Sequence, residues 1–404
     1  MSDLPQELID KIVDEVSRHN STHALRACCL VQKRWVERSR RHLFKEISLY
    51  VKDHFRDWVK FIPLGPDGPY HHVRSLTYRQ GTAVLGPKQL LDIHPGHFIS
   101  FTRLENLQIF NLSLRRFTST SMKKTFGPVG HFIRTLVVKD VVLTLNSLLM
   151  FLVHFPRLET LHLGDNLSMV PEKKKQPPNL PSLAGELVLV SMGSVHRRFV
   201  LGLSKLPLCY SELDVEFRWN SEILNAIAHL ILTCSPTLEK LTLRYARSLF
   251  VEGMFDALSL NEGLTHTCWT GSLTDDEEAF PLDLKSCALL REVAIQVPQR
   301  EAEEHLVRLL GTIQSHELET IEFIGPANTV QPSTWAMVDD ELCALVDRLE
   351  EDGWKRKLRV VVHHSELRRD ALKEGQLLAR FRSKGEVVES VDNRLEMLWE
   401  SYWF

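Results

Sequence analysis

A six-residue pattern (apolar, two residues, apolar, one residue, apolar) returns along most of this 404-residue chain. It reads VRSLTY at 73–78, LENLQI at 104–109, IRTLVV at 133–138, LETLHL at 158–163 and AGELVL at 184–189. It continues as YSELDV at 210–215, LEKLTL at 238–243, LREVAI at 290–295 and LETIEF at 318–323. Counted at the fourth position, the copies fall at 76, 107, 136, 161, 187, 213, 241, 293 and 321. The gap of 52 between 241 and 293 is twice 26, and a degraded copy, LTHTCW at 264–269, stands at its midpoint; the other gaps run from 25 to 31. Such a repeat constrains the fold more than any single motif. Each unit lacks a core of its own and buries its apolar face only against its neighbours.

Between the copies lie stretches of helical spacing. SEILNAIAHLILT at 221–233 places Ile223, Leu224, Ile227, Leu230 and Ile231 on one face. EEHLVRLLGTIQ at 303–314 does the same with Leu306, Leu309, Leu310 and Ile313. Each unit is therefore expected to be one strand and one helix, an α/β fold with parallel strands. The pattern resembles that of leucine-rich-repeat proteins. The asparagine of regular repeats is mostly missing after the strand, with Asn111 and Asn166 as remnants. The expectation is an irregular solenoid with variable loops. A Pro- and Gly-rich joint, PLGPDGPYHH at 63–72, precedes it, and the charged segment PEKKKQPPNLPS at 171–182 is expected to be an edge loop. The chain closes as strand LRVVVHH, helix LRRDALKEGQLLARF, strand EVVESV, and a segment whose Leu398, Trp399, Trp403 and Phe404 suit a cap over the terminal repeat.

Successive strand residues face opposite ways, so positions between the repeating apolar residues point away from the core. In a leucine-rich-repeat solenoid they line the concave face. They include Phe110, His162, Asp214, Glu216, Arg218, Lys240, Arg244 and Glu292, the candidate substrate face, with Arg79, Gln108, Thr242, Gln296 and Glu322 beside them. The set is mixed in charge, and Phe110 is the apolar member that needs a reason to be exposed.

The first fifty residues follow a different rule. Leu4, Leu8, Ile9, Ile12, Val13 and Val16 fall on one side of a helix that Pro5 begins. A polar break at 19–22 offers Ser21 or Thr22 as cap of a short second helix, and a third carries Val31, Trp35, Val36 and Leu43 among basic residues. A trio this small rarely stands alone without a staple, a metal or a partner. Its pattern alone allows packing either on the rest of the chain or on another molecule. Three blocks then carry a resemblance: Leu4-Pro5-x-Glu7-Leu8-Ile9-x-x-Ile12, Leu30-Val31-x-Lys33-Arg34-Trp35, and Leu43-Phe44-x-x-Ile47. In order and spacing they resemble the F-box, departing at Gln32, where that family often has a small residue.

The resemblance implies an F-box over 1–49, a linker over 50–72 and a leucine-rich-repeat-like substrate-binding region over 73–404. It implies docking of a Skp-family adaptor, and through it a cullin, by Leu4, Pro5, Leu8, Ile9, Ile12, Leu30 and Val31. Trp35 either joins them or holds the three helices together. The chain would then be the non-catalytic substrate receptor of a Skp–cullin–F-box ubiquitin ligase, with an unknown protein as substrate. An adaptor-binding scaffold that delivers no substrate, or a stand-alone leucine-rich-repeat binding protein, are the alternative readings.

Composition excludes several other classes. Lys plus Arg total 49 against 52 Asp plus Glu, so no excess of charge calls for nucleic acid or a membrane surface. The basic runs at Arg38, Arg40, Arg41 and at Lys173–Lys175 read as solvated faces. Asp10, Lys11, Asp14 and Glu15 in the first helix break any secretory signal, and VVLTLNSLLMFLV is too short to span a bilayer. Seven cysteines without CxxC spacing fit a reducing compartment, the cytoplasm or nucleus, where the Asn-x-Ser/Thr matches at Asn20, Asn111 and Asn166 carry no glycan. No phosphate-binding glycine loop or GxSxG occurs. The pairs His71/His72 and His363/His364, as strand neighbours, would point to opposite faces and hold no common metal, and DDEE at 275–278 lacks the spacing of a calcium loop. No catalytic residue and no cofactor is expected.

Overall fold

The structure is a computed structural model that describes residues 4–19, 21–49, 69–79, 101–111, 114, 117–140, 142–164, 168–169, 183–192, 196–206, 208–217, 221–245, 282–296, 303–324, 332–364 and 378–391. The described residues are mixed α/β, with a parallel sheet of twelve strands among them. The chain divides into two compact units, residues 1–188 and 189–404.

The first unit opens with three helices, α1 (Gln6–Arg18), α2 (Thr22–Val31) and α3 (Lys33–Leu43). Ser21 is the cap of α2, its Oγ accepting from the amide of Ala24 at 3.2 Å. Strands β1 (Glu46–Leu49), β2 (Ser75–Arg79), β3 (Asn106–Phe110), β4 (Thr135–Lys139) and β6 (Thr160–Gly164) follow in that order across the sheet. A separate pair is made by β5 (Val142–Leu143) and β7 (Ser168–Met169). The register is what the repeat dictates: Ile47, Leu76, Leu107, Leu136 and Leu161 stand abreast and buried. Before each strand one carbonyl accepts two successive amides of the next unit. Lys45 accepts from Arg74 and Ser75, Arg74 from Glu105 and Asn106, Glu105 from Arg134 and Thr135, and Arg134 from Glu159 and Thr160. That ladder satisfies main-chain groups a buried sheet edge would otherwise orphan.

Among the described residues two further helices pack in this unit, α4 (Ser119–Gly130) and α5 (Leu145–Leu152). Each begins with a reciprocal cap, Thr118 with Ser121 and Thr144 with Ser147. Phe126, Phe151 and Phe155 meet edge-to-face or tilted in the core, all at 1% exposure or less. Gly130 lets α4 reach the carbonyl of His154, which a β-carbon at that position would overlap at 2.0 Å.

Strand β8 (Leu183–Met192) contains the boundary between the units. Gly185 there has φ +94°, and an added β-carbon would meet the carbonyl oxygen of Glu159 at 2.0 Å. Gly185→Ala is expected to destabilise the unit by about 2–3 kcal/mol, from backbone strain plus a forced shift of that strand. A chemical melt against wild type checks it.

The second unit carries β9 (Leu208–Phe217), β10 (Lys240–Tyr245), β11 (Glu292–Gln296), β12 (Thr320–Ile324), β13 (Arg359–His364) and β14 (Glu386–Val391) in sequence order. Leu213, Leu241, Val293, Ile321, Val360 and Val387 are abreast. Between strands run α6 (Arg197–Leu203), α7 (Ser221–Cys234), α8 (Glu303–Gly311) and α9 (Pro332–Glu351). The faces expected of α7 and of the 303–314 segment are buried residue for residue. Buried Asp339 of α9 accepts the amides of Arg380 and Phe381 and so fixes the turn before β14.

Two expectations change here. Strand β10 pairs directly with β11, Leu241 opposite Val293, so the sheet holds no strand between them at the midpoint of the gap of 52. Its degraded copy at 264–269 lies outside the described residues. Strand β1 also pairs with β2, so the sheet begins inside the segment the resemblance assigned to the F-box. The loop at 171–182, the cap residues Leu398 to Phe404 and most of the 367–381 helix lie outside the described residues as well.

Candidate functional site

The apolar residues of α1 form two stripes, not one. Ile9 and Val13 turn inward and join Leu25 of α2 in a small core, with Val16, Trp35 and Leu43 packed against it. Leu8 and Ile12, in line with Leu4, turn to solvent at 45%, 41% and 45% exposure. The end of α2 adds Leu30 at 87% and Val31 at 64%. Among the described residues nine large hydrophobic side chains are exposed, and five of them fall within these 31 residues. The other four, Val153, Leu232, Leu289 and Met337, are scattered along the chain.

One member of the expected docking set is thereby corrected, and Trp35 takes the second of its two expected roles. Ile9, at 1% exposure, is a core residue of the trio, and Trp35 is half-buried against that core. Leu4, Pro5, Leu8, Ile12, Leu30 and Val31 stay exposed. Helical spacing places 8 and 9 within 100° of each other and cannot tell the inward from the outward half of one wide arc.

A polar clamp keeps the helices in this arrangement. Arg38 of α3 donates to both oxygens of Asp14, from Nε at 2.7 Å and from Nη2 at 2.6 Å. His42 Nε2 lies 2.8 Å from the same carboxylate, and its Nδ1 lies 2.9 Å from Ser17 Oγ. The Arg38 hydrogen bonds, with help from His42 and against a desolvation cost, hold the Asp14 carboxyl down at about 2. A carboxyl lowered on folding stabilises above its unfolded pKa and loses that contribution as pH falls through the folded value. Asp14→Asn is therefore expected to cost about 1 kcal/mol at neutral pH, the full shift being reduced because the side chain is a third exposed. The difference from wild type should close between about pH 4 and about pH 2, read as melting temperatures across a pH series.

The strand face divides between the units. In the first, Phe110 is half-buried, and Arg79, its register partner, sets its guanidinium 5.3 Å from the ring centroid. That cation–π contact accounts for an aromatic residue at an outward position. His162 is half-buried on β6. In the second unit Asp214, Glu216, Lys240, Arg244 and Glu292 stand together on β9, β10 and β11. They pair with each other: Arg244 holds Asp214 through two bonds of 2.9 Å and approaches Glu216 at 3.6 Å, and Lys240 meets Glu292 at 2.9 Å. Glu322 and His363 add a 2.6 Å pair. Arg218 lies outside the described residues.

Histidines 71 and 72 sit in a 3-10 turn (Pro69–His72), not a strand, with ring centroids 3.8 Å apart. Among the described residues no group of three His, Cys, Asp or Glu side chains is placed to hold a metal. Among the same residues no helix is long and apolar enough to cross a membrane. The chain matches no family model, and no curated protein shows significant similarity to it.

Proposed function

We propose that this protein is the substrate-receptor subunit of a Skp–cullin–F-box ubiquitin ligase, its N-terminal helices an F-box and its strand-and-helix repeats an irregular leucine-rich-repeat region that holds a target protein. The observation that carries the reading is the stripe of Leu4, Leu8 and Ile12 with Leu30 and Val31, left in solvent at the positions where the three-block resemblance puts adaptor contacts. Full burial of such a side chain from water is worth about 1.5–3 kcal/mol, and a hydrophobic groove on a partner would recover the larger part of it at Leu30 and Val31 and roughly half at Leu4, Leu8 and Ile12. The parallel register of the repeats supports the second half of the reading: it presents one outward residue set per strand, and extended protein partners bind such surfaces. No step of ubiquitin transfer is assigned to this chain; the ligase's other subunits would supply it.

The test is co-expression of the full chain with a Skp adaptor, followed by reconstitution with cullin and RING subunits. The reading expects a stable complex and at least one cellular protein whose abundance rises when this chain is lost. A stable complex with no protein changing in abundance would support the scaffold alternative. Absence of the complex would overturn both.

A further inference from the structure

A cleft of about 430 Å³ opens where the helical trio meets the first strands, lined by Asp14, Ser17, Arg18, Arg41, His42, Lys45, His72, Arg74 and Arg103. Five of these side chains are permanent cations and one is a carboxylate. That carboxylate is already taken by Arg38 and His42 outside and inside the cleft. Arg18 and Arg74 have acids of their own, Glu15 at 2.6 Å and Glu105 at 3.2 Å. Arg41, Lys45 and Arg103 have no acidic partner among the described residues.

The excess has a structural origin. The residues ahead of successive strands stand side by side in the carbonyl ladder, and along it Arg74, Glu105, Arg134 and Glu159 alternate in sign, with pairs at 3.2 Å and 2.9 Å. At the first rung the alternation fails, since Lys45 stands next to Arg74. Arg41 of α3 and Arg103 then add charge to the same place instead of relieving it. Burial, then His71, Arg41 and Arg103, push the His72 imidazole down to about 4 against the opposite pull of Glu37, consistent with a positive field in the cleft. Like charges brought together cost free energy unless something else is gained.

We propose that this cleft binds a small molecule bearing a phosphate group, its oxygens taken by the guanidinium groups of Arg41 and Arg103 and the ammonium of Lys45. A guanidinium presents paired N–H donors that match two phosphate oxygens, and a dianion neutralises charges that no acid among the described residues covers. The volume accommodates a phosphate with a small organic body and falls in the range of ordinary ligand pockets. The inference is independent of whether the apolar stripe docks an adaptor.

The experiment uses pyrophosphate as probe and the full chain as protein. Calorimetric titration and melting are both run against sodium chloride of equal ionic strength. The proposal expects saturable binding and a rise in melting temperature for wild type beyond the salt control. It expects about tenfold weaker binding for each of Arg41→Gln and Arg103→Gln, and loss of the melting response in the double variant. In phosphate-free buffer the double variant should melt at or above wild type, because repulsion has been relieved. Lys45→Gln, an exposed single change, serves as second variant if the double one fails to fold, and should also weaken binding. A wild-type response no larger than the salt control overturns the proposal, as does an equal response in the variants. Saturation by a phosphoserine peptide with none by pyrophosphate overturns the small-molecule reading.

Discussion

Replacing Phe151 by alanine is expected to cost the N-terminal unit about 3–5 kcal/mol, the transfer loss of a fully buried ring plus the cavity left behind. Phe151 is closed in by Phe126 and Phe155 at centroid distances of 4.9 Å each, in edge-to-face geometry that adds to simple burial. Little around it can move into the void. Phe126 belongs to α4, whose last residue, Gly130, is already pressed to the His154 carbonyl, so a collapse of α4 onto α5 is blocked there. A loss of that size is a large part of the ~5–15 kcal/mol that holds a domain together. It should lower the melting transition of that unit by roughly 10 °C. Phe110→Ala, half-buried under Arg79, should cost only about 1 kcal/mol and serves as the contrast. A Phe151→Ala protein melting within about 2 °C of wild type would show that the aromatic cluster is not the core described here.

The second large effect is on association. Leu8→Asp combined with Leu30→Asp should weaken binding to a Skp adaptor by about a hundredfold or more, since each places a charge where an apolar side chain would be desolvated. The same pair should lower the melting temperature far less than a core substitution does, because Leu30 is 87% exposed and Leu8 45%. Ile9→Asp gives the opposite pattern. It buries a charge among Val13 and Leu25, unfolds the trio, and loses binding only as a consequence. Adjacent residues with opposite signatures separate a surface from a core in a way that neither variant does alone.

The repeat made the sheet legible. Fourth positions chosen from spacing alone, Leu76, Leu107, Leu136 and Leu161, then Leu213, Leu241, Val293 and Ile321, are register partners within their units. Period-2 alternation carries that information because a slip of one residue would turn every apolar side chain outward. Helix α7 and the buried face of 303–314 were legible for the same reason at period 3.6.

What escaped has equally definite causes. Helix α4 ends in the run Gly127-Pro128-Val129-Gly130, residues that ordinarily stop a helix, and tertiary packing overrides them. Strand β1 was hidden inside the match to the third F-box block. The division of α1 into Ile9/Val13 and Leu4/Leu8/Ile12 depends on where α2 and α3 lie, which a helical wheel does not contain. The basic cleft draws on residues 14 to 103, far apart in the sequence; in the run at 38–41, Arg40 and Arg41 are exposed, as a solvated face would be, and Arg38 is half-buried. There Arg38 turns to Asp14 and Arg41 to the cleft, and their nearness in sequence conceals two separate roles.

The candidate substrate face proved more self-contained than its charges implied. Asp214, Arg244, Lys240 and Glu292 are largely engaged with one another, so recognition there would rest on shape and on displacing weak surface pairs.

The proposed role of the exposed leucines of the first two helices is to be covered by a Skp adaptor. Calorimetric titration of the full chain with purified adaptor tests it most directly. One-to-one binding is expected, with a dissociation constant below about a micromolar and a negative heat-capacity change, the mark of apolar burial. Wild-type protein that gives no saturable binding, or that binds with no loss in the Leu8→Asp, Leu30→Asp variant, would contradict it.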